Sequence, residues 1–148
     1  MGELILMGRH TYMLDTNICS FLIRNRPEYL LGRLQKEVLA GHSMVISAIT
    51  YAELNFGAAS KKASPKMPGI VAEFVERLDD VKAWGEPAVK HSAQVKRALE
   101  SRGTPISHND TLIAGHALSL RAVLITDNVR EFSRVEGLLF ENWVNRDD

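Results

Sequence analysis

The sequence predicts a single α/β domain, built on a mostly parallel sheet with helices on both faces. Three observations predict it. Strand-like apolar runs alternate with helical segments from one end of the chain to the other. The runs Met13-Leu14, Met44-Val45-Ile46 and Val123-Leu124-Ile125 are apolar throughout, as strands buried on both faces are. No repeat, low-complexity tract or interdomain linker interrupts the 148 residues, a length that suits one core.

Taken in order, Tyr12-Met13-Leu14-Asp15-Thr16-Asn17-Ile18 reads as a buried strand that ends in a carboxylate, a hydroxyl and an amide. A helix over Ile18–Arg24 offers Phe21 and Leu22 to the core, and Arg24-Asn25-Arg26-Pro27 breaks it. Pro27 suits the first turn of a second helix, which carries Leu30, Leu31, Leu34, Val38 and Leu39 near helical spacing and stops at Gly41. Met44–Ile46 is a short buried strand. Ser47–Ser60 is a helix with Ile49, Ala52, Glu53 and Phe56 on one face, and Lys61–Gly69 is a break. Ile70–Leu78 is helical, Val81–Trp84 a strand, and Glu86–Arg102 the longest helix, with Gly103 and Pro105 as its stop. Ser107–Leu120 is a further helix. Val123–Thr126 is a second strongly buried strand, and Leu138–Phe140 a weak last one.

Composition narrows the class. The apolar share of 45% and charged share of 24% are those of a globular protein. Lys and Arg (18) balance Asp and Glu (18), so nucleic acid can be attracted only by a local patch. The one cysteine, Cys19, excludes an internal disulfide and a Cys-rich zinc site, and reads as a packed core residue. The opening run Leu4-Ile5-Leu6-Met7 is too short for a signal peptide, and no stretch reaches the length of a membrane span, so the expected location is cytoplasmic. Residues 1–11 form an N-terminal extension, 12–144 the domain and 145–148 a tail.

Four acids carry the chemistry: Asp15, Glu53, Asp110 and Asp127. Each has a local explanation. Asp15 can cap the helix that follows it, and Asp127 the turn before Arg130-Glu131-Phe132. Thr50-x-x-Glu53 and Ser107-x-x-Asp110 resemble capping boxes. Their positions point further. Asp15 and Asp127 end apolar strands, which a parallel sheet places at one edge, and helices starting there bring Glu53 and Asp110 to the same spot. Asp110 shares a face with Ile113, Ala114 and Ala117, and Glu53 with Ile49 and Phe56, so both acids point toward the sheet. Carboxylates gathered in a half-buried place repel unless a cation holds them. Oxygen donors alone select a hard ion, Mg²⁺ or Mn²⁺, of the kind that serves phosphoryl transfer.

These stretches resemble a known family. Met13-Leu14-Asp15-Thr16-Asn17, Ser47-Ala48-Ile49-Thr50-Tyr51-Ala52-Glu53-Leu54, Ile106-Ser107-x-Asn109-Asp110-x-x-Ile113-Ala114 and Ile125-Thr126-Asp127-Asn128-x-Arg130-Glu131-Phe132 are similar to those of PIN-domain ribonucleases. More narrowly they resemble the VapC toxins of bacterial type II toxin–antitoxin systems, in their enteric and plasmid-borne, VagD-like branch. The resemblance runs from Tyr12 to Trp143 and takes in Gly137-Leu138 and Glu141-Asn142-Trp143. It implies an α/β/α sandwich, with Asp15, Glu53, Asp110 and Asp127 as metal-binding acids and Thr16, Asn17 and Thr126 as hydrogen-bonding support. Asp127 departs from the Thr-Asn-Asn of many relatives. The implied activity is Mg²⁺- or Mn²⁺-dependent cutting of RNA, in this branch initiator tRNA in its anticodon loop, leaving a 5′-phosphate and a 3′-hydroxyl. The implied partners are a VapB-type antitoxin, a second toxin copy in a homodimer, and operator DNA bound through the antitoxin.

Substrate contacts are expected from Arg24, Arg26 and Arg130, with Lys61, Lys62 and Lys66 in the break, all of which also fit a solvated surface. His108 reads as exposed, His116 as structural or on the substrate rim. Two rival readings remain at this level. A haloacid-dehalogenase-like phosphatase expects an acid where Asn17 stands, and a receiver domain expects an acidic pair before its phospho-accepting strand, which is absent. A non-catalytic binding module would keep the acids for structure alone.

Overall fold

The computed structural model of the chain describes residues 8–144. Five strands form one sheet: β1 (Thr11–Leu14), β2 (Ser43–Ser47), β3 (Asp80–Lys82), β4 (Val123–Ile125) and β5 (Phe140–Glu141). Their order is β3-β2-β1-β4-β5 and every pairing is parallel. Among the described residues seven helices intervene: α1 (Thr16–Arg24), α2 (Tyr29–Leu39), α3 (Ala48–Ala58), α4 (Met67–Glu76), α5 (Glu86–Ser101), α6 (His108–Leu120) and α7 (Val129–Phe132). β1 begins one residue inside the stretch expected to be an extension. Residues 1–7, with the apolar run Leu4–Met7, and residues 145–148 lie outside the described part.

Side chains alternate across each strand, so the sheet divides the core in two. On one face Tyr12, Leu14, Met44, Ile46, Val123 and Ile125 pack against α1, α2, α4 and the Leu54–Ala58 side of α3. On the other, Met13, Val45 and Leu124 pack against Val95 and Leu99 of α5 and Ile113, Ala114 and Ala117 of α6. The result is a three-layer α/β/α sandwich. Among the described residues no helix is long and apolar enough to cross a membrane.

The elements differ from the sequence pattern in several places; β3, for one, runs Asp80–Lys82 and leaves Trp84 outside the strand. Pro27 lies before α2, which starts at Tyr29. The lysine-rich break ends early, because Pro68 occupies the first turn of α4, where its missing N–H costs nothing; the helix runs to Glu76. Leu138 is not in a strand: it turns into the core after Gly137, and only Phe140–Glu141 pair with β4. On α3 the buried stripe is Thr50, Leu54 and Ala58, whereas Phe56 is 84% exposed.

One expected core face is open. On α2, Leu30 is buried, but Leu31 (38%), Val38 (47%) and Leu39 (88%) are exposed. Leu31, Leu34 and Val38 line a groove of about 250 Å³ with Leu22 and Ile23 of α1 and Ile70 and Phe74 of α4.

Candidate active site

The acids gather where the carboxyl ends of β1, β2 and β4 meet the N-terminal halves of α1, α3 and α6. Asp15 follows β1, and its backbone N–H donates to Ile125 O of β4 at 3.0 Å. Its Oδ1 accepts the Ile18 N–H at 2.8 Å, so it does cap α1, while Oδ2 accepts the Thr126 hydroxyl at 2.5 Å. The residue is 3% exposed. Burial pushes its pKa up to about 6, the charges of Asp110 and Asp127 push the same way, and the two hydrogen bonds oppose them.

Glu53 is not in a capping box. The N-cap of α3 is Ser47, whose hydroxyl accepts the Ile49 N–H, and Glu53 instead accepts the Thr16 hydroxyl at 2.6 Å. That hydroxyl lies 3.3 Å from the hydroxyl of Thr50, so Thr16 ties the start of α1 to α3. Asp110 sits in the first turn of α6, where its N–H donates to Ser107 Oγ at 3.3 Å. Burial raises its pKa to about 6, helped by the neighbouring Glu131 and Glu53.

Asp127 is half-buried, accepts an N–H of the Asn142 amide at 3.1 Å and bears electrostatically on Asp15. It does not cap α7, a place taken by Asn128. Glu131 was not singled out as a ligand in the sequence, yet it is the acid most directly engaged with Asp110. The Asn128 amide nitrogen donates to Asp110 Oδ2 at 3.2 Å and to Glu131 Oε2 at 3.1 Å. Its only sequence signal was position, one turn beyond Asp127 in a segment too short to show periodicity.

Other expected residues are sorted by the same geometry. Thr16 and Thr126 bond directly to acids, while Asn17 is exposed and makes no side-chain hydrogen bond to them among the described residues. Arg24 ends the nine-residue α1, about 13 Å along its axis from Asp15, and Arg26 follows two residues later. Arg24 bonds back to Ser20 O and lies over Phe21, so neither arginine joins the acids. Arg130 is exposed beside Glu131, at the rim. His108 is exposed; His116 is 1% exposed, with Nδ1 2.7 Å from Ser47 Oγ. Burial lowers the pKa of His116, as suits a neutral imidazole holding α6 to β2.

A family model described as PIN domain matches residues 12–138. The chain belongs to the PIN-domain family. Within that family it is 39% identical over 132 residues to "tRNA(fMet)-specific endonuclease VapC" of Salmonella typhimurium, covering 89% of this chain and 97% of that protein. It is 40% identical, over the same shares, to "Ribonuclease VapC1" of Haemophilus influenzae. Among solved structures it resembles VapBC2 from Rickettsia felis bound to a promoter DNA fragment, with TM-score 0.84 and 32% identity over 90% of this chain and 99% of that one. DNA-bound VapBC from Salmonella typhimurium gives TM-score 0.82 and 37% identity, covering 91% of this chain and 99% of that one.

As they stand, no three His, Cys, Asp or Glu side chains among the described residues are grouped closely enough to hold a metal ion. Each carboxylate of this PIN domain rests on its own donor instead: Thr126, Thr16, Asn128 or Asn142. The donor chemistry nevertheless fits a hard divalent cation, since every candidate ligand is a carboxylate and two of them carry pKa values raised by burial and mutual repulsion.

A pH dependence follows. The folded-state pKa of Asp15, about 6, exceeds its ordinary value, so folding takes up a proton between about pH 4 and 6. Stability from this group is therefore present at low pH and lost as pH rises through 6. In EDTA, Asp15 alone should make the PIN domain less stable at pH 7.5 than at pH 5 by up to about 1.4 kcal/mol, since about one pKa unit of the shift lies between pH 5 and 6. Thermal melts of wild type and Asp15→Asn at the two pH values check this: the difference between the two pH values should be more favourable to pH 5 in the wild type. Equal pH responses would remove Asp15 as its source.

Proposed function

We propose that this PIN domain is the toxin of a type II toxin–antitoxin pair, a Mg²⁺- or Mn²⁺-dependent endoribonuclease that cuts initiator tRNA in the anticodon loop and so stops translation. The observation that carries the proposal is the gathering of Asp15, Glu53 and Asp110 at one sheet edge in a chain similar over most of its length to a tRNA(fMet)-specific endonuclease. The reading places its action in the cytoplasm, with its substrate.

Asp15 and Asp110 are assigned as principal metal ligands, with Asp127, Glu53 and Glu131 completing or flanking the set. A divalent ion bound there supplies Lewis acidity toward the phosphodiester and makes a water a better nucleophile at neutral pH. The chain's own residues do the rest. Thr126 and the Ile18 N–H fix both oxygens of Asp15, and Thr16 aims Glu53. Arg130 stands where it can meet a backbone phosphate, giving a salt-dependent contact. Hydrolysis leaves a 5′-phosphate and a 3′-hydroxyl.

The test is cleavage of purified initiator tRNA beside a panel of other tRNAs, in Mg²⁺ or in EDTA. Metal-dependent cutting of the one tRNA is expected. Cutting that persists in EDTA overturns the metal assignment, and indiscriminate cutting overturns the substrate.

Neutralisation is assigned to a VapB-type antitoxin, whose complex with a toxin dimer binds operator DNA through the antitoxin. The open groove between α1, α2 and α4 is the apolar surface available to it: its spacing of Leu31, Leu34 and Val38 suits a helix laid along it. Val38→Asp, at a position already 47% exposed, should weaken antitoxin binding about tenfold or more while RNA cleavage is kept. Calorimetric titration with the purified antitoxin reads the first effect and the tRNA assay the second. Unchanged affinity would move the antitoxin off this groove.

A further inference from the structure

The acids are usually counted one by one, but one neutral side chain touches two of them and is tied to a third. The Asn128 amide nitrogen carries two N–H bonds, and it has one carboxylate for each: Asp110 Oδ2 at 3.2 Å and Glu131 Oε2 at 3.1 Å. The same residue's backbone N–H donates to Thr126 Oγ1 at 2.9 Å, and that hydroxyl donates to Asp15 Oδ2. Asn128 thus stands at the junction of α7 and β4 with its backbone committed to the Asp15 side and its side chain to the Asp110 side. Two like-charged oxygens on neighbouring elements repel, and an amide dipole pointing its hydrogens between them offsets that repulsion and sets their separation. The opposite orientation of the amide would put its oxygen against both carboxylates, so the hydrogen-bond network allows only this one.

We propose that Asn128 is the positioning residue that keeps Asp110 and Glu131 side by side, so that a divalent cation can draw both in as ligands. It acts through those two carboxylates, touching neither substrate nor reacting atoms. The inference rests on the metal-nuclease reading above and deepens it, because it says which neutral group keeps the ligand set in register. Partners of this kind, one bond behind the ligands, typically change metal affinity by about ten- to a hundredfold when removed.

The experiment is a Mn²⁺ titration followed by the electron paramagnetic resonance signal of the free ion, which needs no RNA. Asn128→Leu keeps the side chain's bulk and removes its donors; Asn128→Ala, which adds no new atoms, is the second variant should leucine disturb the fold. Either is expected to lower Mn²⁺ affinity about tenfold or more, with RNA cleavage largely recovered at high Mn²⁺. In a Glu131→Gln background the glutamine can itself donate to Asp110, so the further loss on removing Asn128 should shrink to less than about threefold. A structural role alone predicts equal losses in both backgrounds. Wild-type affinity in Asn128→Leu and Asn128→Ala, or equal losses with and without Glu131, overturns the proposal while leaving the nuclease reading intact. A wild-type chain that takes up no Mn²⁺ overturns both.

Discussion

Asp15→Asn is expected to lower RNA cleavage by about a hundredfold or more while leaving the protein at least as stable as before. The two effects separate because the substitution is nearly isosteric. Its side-chain oxygen still accepts the Ile18 N–H, so the cap of α1 survives. The new amide faces the Thr126 hydroxyl where an acceptor stood, and that hydroxyl can rotate to accept. What is lost is the negative charge, which the fold carries at a cost because the group is 3% exposed. Removing that charge relieves up to about 3 kcal/mol of strain on the metal-free fold at neutral pH, set by a pKa near 6. Gel assays of tRNA cutting and thermal melts in EDTA, run on the same preparations, read both quantities. A variant that still cuts at the wild-type rate would remove Asp15 from the chemistry. One that cuts poorly because it has unfolded would leave a capping role only.

The largest loss of stability is expected from Gly115→Ala. This glycine sits where α6 crosses α5, and a Cβ there would lie 2.0 Å from Ser92 Oγ, 2.5 Å from its backbone nitrogen and 2.6 Å from its Cα. A side-chain oxygen can rotate away, but a helix backbone cannot. The two helices must separate, and the adjacent His116, bonded to Ser47, is drawn from the end of β2. The expected cost is about 3 kcal/mol or more, read as a lower urea midpoint. Ser92→Gly should fail to rescue it, since the two backbone contacts remain. Full rescue would mean that the hydroxyl, not the backbone, sets the helix separation. A midpoint within about 0.5 kcal/mol of wild type would show that this crossing yields.

The parallel sheet and its order along the chain were legible because Met13-Leu14, Val45-Ile46 and Leu124-Ile125 are buried on both faces and carry no competing signal. Once the sheet is parallel, Asp15 and Asp127 must share an edge, so the heart of the site was legible too. Glu53 does reach Thr16 and the neighbourhood of Asp110, but not along the face the periodicity assigned: the buried stripe of α3 runs through Thr50 and Leu54, and Phe56, assigned to the core, stands in solvent. Hydrophobic periodicity marks an apolar face without saying what covers it, which is also why Leu31 and Val38 read as core on α2. Glu131 escaped notice because α7 is a four-residue helix, with no repeat to betray a face. Arg24 and Arg26, expected as substrate contacts, stand a helix length away from the acids, a separation that nearness in sequence does not show.

The bond between Thr126 and Asp15 spans 111 positions of the chain. During synthesis, which runs at about 5–20 residues per second, every segment from Asp15 to Ile125 must leave the ribosome before β4 can slot in beside β1. Until then Asp15 has neither its hydroxyl donor nor Asp127 or Glu131 for company. A growing chain therefore cannot bring the acids together, and one truncated before Thr126 never does. On the proposed function, the nuclease site is the last part of the molecule to be completed, and that delay gives the proposed antitoxin an interval in which to meet the helices that emerge first.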